Sequence, residues 1–141
     1  MLEIKRIEKL EWRSMSKDAH VICFNEVRDP YLDRIDYALL SVQGRTPVTY
    51  CTVRELDAES CYWQYGGSFP GSKDTVLSYR GTHLSAQWCL ERYKRISFYV
   101  QNTNAVMIKI ALKVGFKIIG VRTFKGAVMV EFLLENDATA S

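Results

Sequence analysis

Cysteine, histidine and serine are the side chains through which this sequence could bind a metal ion or attack a substrate directly. Its four cysteines include no closely spaced pair of the kind that zinc sites use. The two histidines, His20 and His83, have no partner at a suggestive spacing. Serine, histidine and aspartate occur, but in no context that resembles a nucleophile elbow. The sequence therefore gives no support to a metal site or a hydrolase triad, and it predicts free, mostly buried thiols.

Tyrosine hydroxyls and glutamate carboxylates are the remaining candidates for chemistry. Tyr65 and Tyr99 each place a hydroxyl on an amphipathic ring, and such a hydroxyl can donate a proton. Glu55 and Glu59 lie near predicted strand ends, where a carboxylate can accept a proton directly or through a water. Each has a structural alternative, because such tyrosines often pack one edge on the core and such glutamates are often only solvated.

The size and composition indicate one packed domain. The chain has 141 residues, of which 48% are hydrophobic, and we expect a single domain over residues 1–134 and a flexible tail over 135–141. The net charge of +3, from 19 basic and 16 acidic residues, is too small to indicate nucleic-acid binding. No apolar run approaches the ~18 residues of a membrane span, and we expect a soluble cytoplasmic protein without a membrane partner.

The order of predicted elements indicates an α+β fold. Helical patterns occur near residues 8–13 and 17–27, and an antiparallel meander follows between residues 37 and 65. The later elements are a helix over about 74–93, a strand over 95–101, a helix from 104 to 115, and a closing hairpin over 116–134. We therefore expect a mixed, mostly antiparallel sheet flanked by helices, with one parallel crossover and a cleft where two strands separate.

The residues from Asn104 to Phe116 carry a family resemblance. An asparagine opens a helix that ends in Lys113-Val114-Gly115-Phe116, and a strand and hairpin follow. This order resembles the late signature of the GNAT superfamily of N-acetyltransferases, and small acetyltransferases encoded by bacteriophages look especially similar, including the run from Gly66 to Pro70. Element order matches over about residues 36–134, while close motif similarity is confined to 65–76 and 102–131. A phage-encoded protein of this kind would act in the host cytoplasm.

The resemblance implies an acetyl-CoA site between the strands at residues 61–65 and 95–101. The CoA pyrophosphate would meet backbone N–H groups at the start of the following helix, because a helix N-terminus offers unpaired donors and partial positive charge. A bulge at Gly66-Gly67 would stop strand pairing and free backbone groups for the pantetheine amides. The implied cofactor-binding residues are Ser68, Phe69, Gly71, Ser72, Lys73, Asp74, Thr75, Val76 and Asn104.

Two positions compete for the phosphate loop of the family. The segment from Arg80 to Ser85 superficially matches the family pattern, but it leaves only a short helix behind it. Placing Lys73 at the basic position allows the full helix, so spacing favours Lys73. In that register Val76 and Ser78 replace the usual small residues. The loop therefore departs from the family pattern in both registers.

The resemblance also implies a need for a general acid and a general base. The tyrosine that often protonates the leaving thiolate in this family corresponds to Ala111 here, so the usual acid is missing. Tyr65 and Tyr99 are the candidate replacements, and Glu55 is the candidate base. The resemblance therefore implies an enzyme that transfers acetyl from acetyl-CoA to a primary amine in a ternary complex.

The acceptor and the assembly state stay open at this point. The acceptor is a small-molecule amine, or a lysine or N-terminus of a protein, and a homodimer is an alternative to the monomer. A second hypothesis is a non-catalytic protein of phage origin that kept the fold and acts through protein contacts, as a virion or host-interaction factor. Modification of a nucleobase or a nucleotide is a weaker third hypothesis.

Overall fold

The described part of the chain is built on one seven-stranded sheet. The computed structural model describes residues 1–15, 34–72 and 76–136. The strands are β1 (Leu2–Glu8), β2 (Tyr37–Gln43), β3 (Thr46–Glu55), β4 (Ser60–Ser68), β5 (Arg95–Gln101), β6 (Lys117–Phe124) and β7 (Ala127–Glu135). Residues 9–15 are helical (α1), and the later helices are α2 (Val76–Leu90) and α3 (Ala105–Val114). The helix predicted at 17–27 and the predicted start of α2 at 74 lie outside the described residues.

The strand order is β1-β2-β3-β4-β5-β7-β6, and every neighbouring pair is antiparallel except β4 with β5. The single parallel pair arises because α2 carries the chain from the end of β4 back to the start of β5. This confirms the predicted mixed sheet with one parallel crossover.

Strand β1 was not predicted from the sequence. It pairs with β2 along its whole length, from Leu2 opposite Gln43 to Glu8 opposite Tyr37. Its apolar residues change face along the strand, because Ile4 packs against one core and Ile7 belongs to the other. The period-two alternation that identifies a half-buried strand is therefore interrupted, and four of the seven residues of the strand are charged.

Among the residues that the structure describes, two cores lie on opposite faces of the sheet. We call the face packed against α2 and α3 the back face; its core includes Cys61, Ile96 and Phe132. The front face carries a smaller core, in which Trp12 of α1 packs on Tyr50 with the ring centroids 5.2 Å apart. Alternation along the strands places neighbouring residues on opposite faces, and this assigns each later side chain to the front or the back.

Helix α2 approaches the back face most closely at Gly81. A Cβ at this position would lie 2.6 Å from Ser41 Oγ and 2.6 Å from Thr49 Oγ1, so a larger residue would collide with β2 and β3. The glycine that weakens the helical pattern is therefore a packing requirement. Because α2 runs without a break from Val76 to Leu90, the segment from Arg80 to Ser85 is helix interior, and its reading as a phosphate loop is wrong.

The C-terminal elements confirm the predicted caps and turn. Asn104 Oδ1 accepts a hydrogen bond from Met107 N, and Gly115 ends α3 with φ 117°. Lys125 and Gly126 form the β6–β7 turn with φ of 49° and 82°. The folded part extends past residue 134, because Glu135 belongs to β7 and Asn136 Nδ2 donates to Leu90 O at 3.0 Å.

Candidate functional site

An opening between β4 and β5 is the main irregularity of the sheet. The two strands pair only from Ser60–Arg95 to Tyr62–Ser97. Beyond that point β4 continues beside β3 and β5 continues beside β7, so two strand edges face each other without pairing. We call the space between residues 63–68 and 98–101 the β4–β5 opening. The backbone N–H and C=O groups that point into this space, apart from those of Tyr65, can pair with a ligand that takes the place of a strand.

A bulge in β4 helps to create this opening. Val53 pairs with Trp63 and Cys51 pairs with Gly66, so two residues of β4, Gln64 and Tyr65, stand opposite the single residue Thr52. Thr52 Oγ1 accepts a hydrogen bond from Tyr65 N at 2.9 Å, and it replaces the missing backbone partner. The bulge was predicted at Gly66-Gly67. That position was wrong, because both glycines remain paired with β3, opposite Cys51 and Tyr50.

Aromatic side chains close the back of the opening. Trp63 and Phe98 stack with their ring centroids 5.9 Å apart, and Phe116 lies 4.9 Å from Phe98. Ala111 of α3 is fully buried in the same core. Because Ala111 has no hydroxyl and no exposure, a proton donor for chemistry in the opening has to come from another element.

The loop after β4 is fastened by its own hydroxyls. Ser72 is buried, and its Oγ donates to Val48 O at 2.8 Å and to Phe69 O at 3.0 Å. Ser68 Oγ lies 2.5 Å from Ser78 Oγ in the first turn of α2. These bonds hold the loop against β3 and α2, which positions its backbone but occupies the serine hydroxyls.

Gly71 is the exposed point of this loop. A Cβ there would have no atom within 4 Å, so an anion can approach its backbone. Val76, at the described start of α2, is 67% exposed. Residues 73–75, which include the predicted contacts Lys73, Asp74 and Thr75, lie outside the described residues.

Asn104 stands at the other end of the opening, just after β5. Its N–H donates to Gln101 O at 3.0 Å and its Oδ1 caps α3, while the residue as a whole is exposed. The structural half of its predicted dual role is thereby confirmed. Its side-chain amide nitrogen is the group left for a ligand.

Tyr99 belongs to a polar cluster on the front face. Its ring lies 6.1 Å from that of Tyr62, across the point where β4 and β5 separate. Arg122 of β6 donates to Tyr99 Oη at 3.4 Å, and its guanidinium carbon lies 5.5 Å from the ring centroid. Glu131 of β7 stands directly opposite Tyr99 in the strand register, and Arg54 of β3 stands opposite Tyr62. We call these five residues the front cluster.

The electrostatics of the front cluster favour the protonated form of Tyr62. Burial, followed by the neighbouring Tyr99, raises the pKa of Tyr62 above its ordinary value. The hydrogen bond with Tyr99 raises the pKa of the Arg122 guanidinium. Tyr62 is therefore a hydrogen-bond donor near neutral pH and a poor base.

The three predicted catalytic residues do not all meet. Tyr65 packs against the front core, on the same face as Tyr99. Glu55 pairs with Cys61, a back-core residue, so its side chain lies on the opposite face from Tyr99. Burial is the largest cause that raises the pKa of Tyr93, and Glu55 contributes to it, which places the Glu55 carboxylate near that back-face tyrosine.

Sequence reasoning missed four members of the front cluster: Arg54, Tyr62, Arg122 and Glu131. A signal for Glu131 was present, because it stands between the buried residues Val130 and Phe132, and alternation therefore turns it to the front. The same alternation applies to Tyr99 between Phe98 and Val100. What the alternation does not give is the strand register that sets Glu131 opposite Tyr99.

Other features of the described residues do not compete with the opening. A groove of about 620 Å³ runs between the start of β1 and the second half of α2, but its side chains do not form an acid–base cluster. No three metal-ligating side chains come together within the described ranges. Cys51, Cys61 and Cys89 are free and buried, which confirms that prediction for three cysteines; Cys23 lies outside the description.

None of the described helices has both the length and the apolar character that crossing a bilayer requires.

Comparison with known proteins identifies the fold. No protein-family model matches the sequence, and no curated protein matches it. An IAA acetyltransferase from Bacillus cereus superposes with a TM-score of 0.74 at 12% identity, covering 96% of this chain and 100% of that one. The ribosomal-protein-S18-alanine N-acetyltransferase from Escherichia coli gives 0.73 at 13% identity, covering 96% and 94%. Arabidopsis thaliana NAA60, in complex with acetyl-CoA, gives 0.73 at 8% identity, covering 96% and 100%.

These identities are too low to transfer a function, but the superpositions span nearly the whole of each chain. The predicted fold is confirmed: the chain has the fold of the GNAT acetyltransferases.

Proposed function

We propose that this protein is an acetyl-CoA-dependent N-acetyltransferase that moves an acetyl group directly to a primary amine in a ternary complex. The observation that carries the proposal is the β4–β5 opening, with its bulge at Gln64 and Tyr65, in a GNAT fold. The NAA60 structure of the same fold is in complex with acetyl-CoA, which supports the same donor here.

The donor lies along the unpaired edge of β4 in this proposal. Its pantetheine amides pair with backbone groups of β4, because these groups have lost their strand partner on the β5 side. The pyrophosphate lies at Gly71 and the start of α2, where the exposed glycine lets an anion reach the backbone. Lys73, Asp74, Thr75 and Val76 continue this contact, and Ser68, Phe69 and Ser72 hold the loop in position. The side-chain amide of Asn104 contacts the donor from the β5 side.

Tyr99 is the proposed general acid. During transfer the amine nitrogen bonds to the acetyl carbon, the carbon–sulfur bond breaks, and the departing thiolate takes up a proton. Arg122 donates its hydrogen bond to Tyr99 Oη, so the Tyr99 hydroxyl proton is free for another acceptor. The guanidinium also stabilises the negative charge that Tyr99 acquires when it gives up this proton. Tyr65, on the same face, is the alternative donor.

Glu131 is the proposed base that takes the proton from the amine. It stands opposite Tyr99 on the front face, whereas Glu55 lies on the back face. For Glu55 to serve, as the sequence suggested, a water chain would have to carry the proton around the strand edge. The proton path from the acceptor amine to Glu131 is shorter than the path to Glu55, and this favours Glu131 as the base.

The test separates binding from turnover. We expect CoA and acetyl-CoA to bind in calorimetry and to raise the melting temperature, and acetyl-CoA to be consumed with a panel of amines, lysine peptides and peptide N-termini. Tyr99→Phe should retain binding and lose turnover. If millimolar acetyl-CoA does not raise the melting temperature at all, the proposal is wrong.

The second candidate function is a non-catalytic GNAT-fold protein of phage origin that acts through protein contacts. Edge strand β6 favours it, because Ile118, Ile119, Val121 and Phe124 are each at least half exposed. A partner protein or a second copy of the chain would cover this strand. Acetyl-CoA consumption that Tyr99→Phe abolishes would contradict this candidate, and a monomer in sedimentation at high concentration would exclude the second copy.

A further inference from the structure

The front cluster forms a continuous row across five strands. Arg54 pairs with Tyr62, Tyr62 pairs with Ser97, Tyr99 pairs with Glu131, and Glu131 pairs with Gly120. Directly paired residues share a face, and adjacent strands lie about 4.8 Å apart. Arg122, two residues beyond Gly120, shares that face and reaches back over β7 to Tyr99. The row therefore lies on the front face beside the β4–β5 opening.

The charges in this row are separated instead of neutralised. Arg122 directs its hydrogen bond to the Tyr99 hydroxyl, although the Glu131 carboxylate is close enough to favour the charged form of Arg122. Arg54 is exposed, and its charge acts on Tyr62. Two guanidinium groups thus flank a pair of tyrosine rings, with one carboxylate between them. A molecule that carries both a cationic and an anionic group would match this pattern.

We propose that the front cluster binds the acceptor, and that the acceptor is a primary amine with a carboxylate a few bonds from its nitrogen. Glu131 receives the ammonium group and takes one of its protons before the attack; the second proton leaves the nitrogen after the carbon–nitrogen bond forms and replaces the proton that Tyr99 has given to the thiolate. Arg122 binds the carboxylate, with Arg54 as the second cation. The rings of Tyr62 and Tyr99 contact the carbon atoms between the two charges. This inference rests on the proposed acetyl transfer and adds the chemical class of its acceptor.

The separation of the two charged groups follows from the register. Glu131 and Arg122 lie on adjacent strands and are offset by two residues, because Gly120 pairs with Glu131 and Arg122 with Met129. A guanidinium binds a carboxylate in a planar, two-pronged fashion, so this side chain also orients the acceptor. An amine without a carboxylate would leave Arg122 without its anion and would bind more weakly.

The experiment compares matched amines on the protein saturated with CoA, and then follows turnover with acetyl-CoA. One pair is β-alanine and propylamine. The other is a short peptide whose first residue is aspartate and the same peptide with asparagine there. We expect the carboxylate member of at least one pair to bind about tenfold more tightly or better, since a hydrogen bond to a charged group is worth that much. The pair that discriminates identifies the source as a free amino acid or an acidic peptide.

Arg122→Gln should remove the preference for the amine that carries a carboxylate, and Arg54→Gln should reduce that preference. Because Arg122 also contacts Tyr99, its variant can slow both members of a pair; the inference is tested by the ratio between them. Arg45→Gln, an exposed arginine in the β2–β3 turn, should leave the ratio unchanged. Equal binding of both members in both pairs would overturn the inference even if acetyl-CoA binds. Failure to bind acetyl-CoA would instead overturn the proposed function, and the inference with it.

Discussion

A Cβ on Gly81 would lie 2.6 Å from Thr49 Oγ1, so helix α2 touches strand β3 at a point that accommodates only a glycine. Ser41 Oγ and Thr49 Oγ1, 2.5 Å apart, form the surface that the helix backbone meets. This contact fixes α2 against the back face, and α2 in turn begins where the donor phosphates are proposed to bind.

Gly81→Ala should therefore destabilise the protein. In an ordinary helix interior the change to alanine stabilises by about 1 kcal/mol. Here overpacking dominates, and we expect the free energy of unfolding to fall by about 1–3 kcal/mol in urea titrations followed by circular dichroism. Gly71→Ala is the matched control, since a Cβ there meets no atom within 4 Å. If Gly81→Ala is as stable as the parent, the close approach of α2 is wrong.

The Tyr37–Tyr93 pair should make stability depend on alkaline pH. Their hydroxyls lie 2.6 Å apart in the back core. Burial is the largest cause that raises the pKa of Tyr93 to about 12, from an ordinary value of 10.0. Because the folded state favours the protonated form, this contribution is fully present below pH 10 and is lost as the pH rises through about 12.

The measurement is the urea midpoint as a function of pH across this window. Tyr93→Phe removes the titrating hydroxyl, so its midpoint should fall less steeply above pH 10 than that of the parent. Tyr79→Phe, at a half-buried position of α2, is the control for the loss of a tyrosine hydroxyl elsewhere in the protein. Identical slopes for the parent and Tyr93→Phe would argue against a shifted Tyr93.

The buried thiols should not react in the native state. Cys51, Cys61 and Cys89 are each at most 6% exposed, and burial raises the pKa of the Cys51 thiol. We expect an alkylating reagent to label these three only after denaturation, as read by peptide mass spectrometry. Rapid native labelling of Cys61 or Cys89 would show that β4 and α2 separate in solution.

Local sequence signals predicted the C-terminal half of the fold well, because they act over a few residues. Asn104 caps its own helix, and Gly115 and Gly126 adopt the positive φ that their positions require. Strand β1 was not predicted because an edge strand has one pairing neighbour and can carry charges on both faces, which interrupts the apolar alternation. The bulge was misplaced because Thr52, twelve positions before Gln64, determines where the extra residue stands.

The candidate site depends on long-range register even more strongly. Tyr99 could be identified as a polar residue on a buried strand, but its neighbours Tyr62, Arg122 and Glu131 come from three other strands. Their meeting depends on the order β4-β5-β7-β6, which reverses the chain order of the last two strands. No local pattern specifies that reversal.

Asn104 should have separable structural and ligand roles. Asn104→Ala removes the cap on Met107 N, and we expect a loss of about 1 kcal/mol in stability. Asn104→Ser retains a capping oxygen but lacks the amide nitrogen, so it should be about as stable as the parent. If the amide contacts the donor, both variants will bind acetyl-CoA more weakly in calorimetry. If Asn104→Ser binds acetyl-CoA as tightly as the parent, Asn104 has only its structural role as the cap of α3.

Replacing Glu131 and Glu55 in turn should identify the base. Glu131 stands opposite Tyr99 on the front face, whereas Glu55 lies behind the sheet beside Tyr93. We expect Glu131→Gln to lower kcat about a hundredfold or more, as loss of a general base does, and to leave acetyl-CoA affinity intact. Glu55→Gln should keep most of the parent's kcat. The opposite result would assign the base to Glu55 and would require a water path from the back face to the acceptor nitrogen.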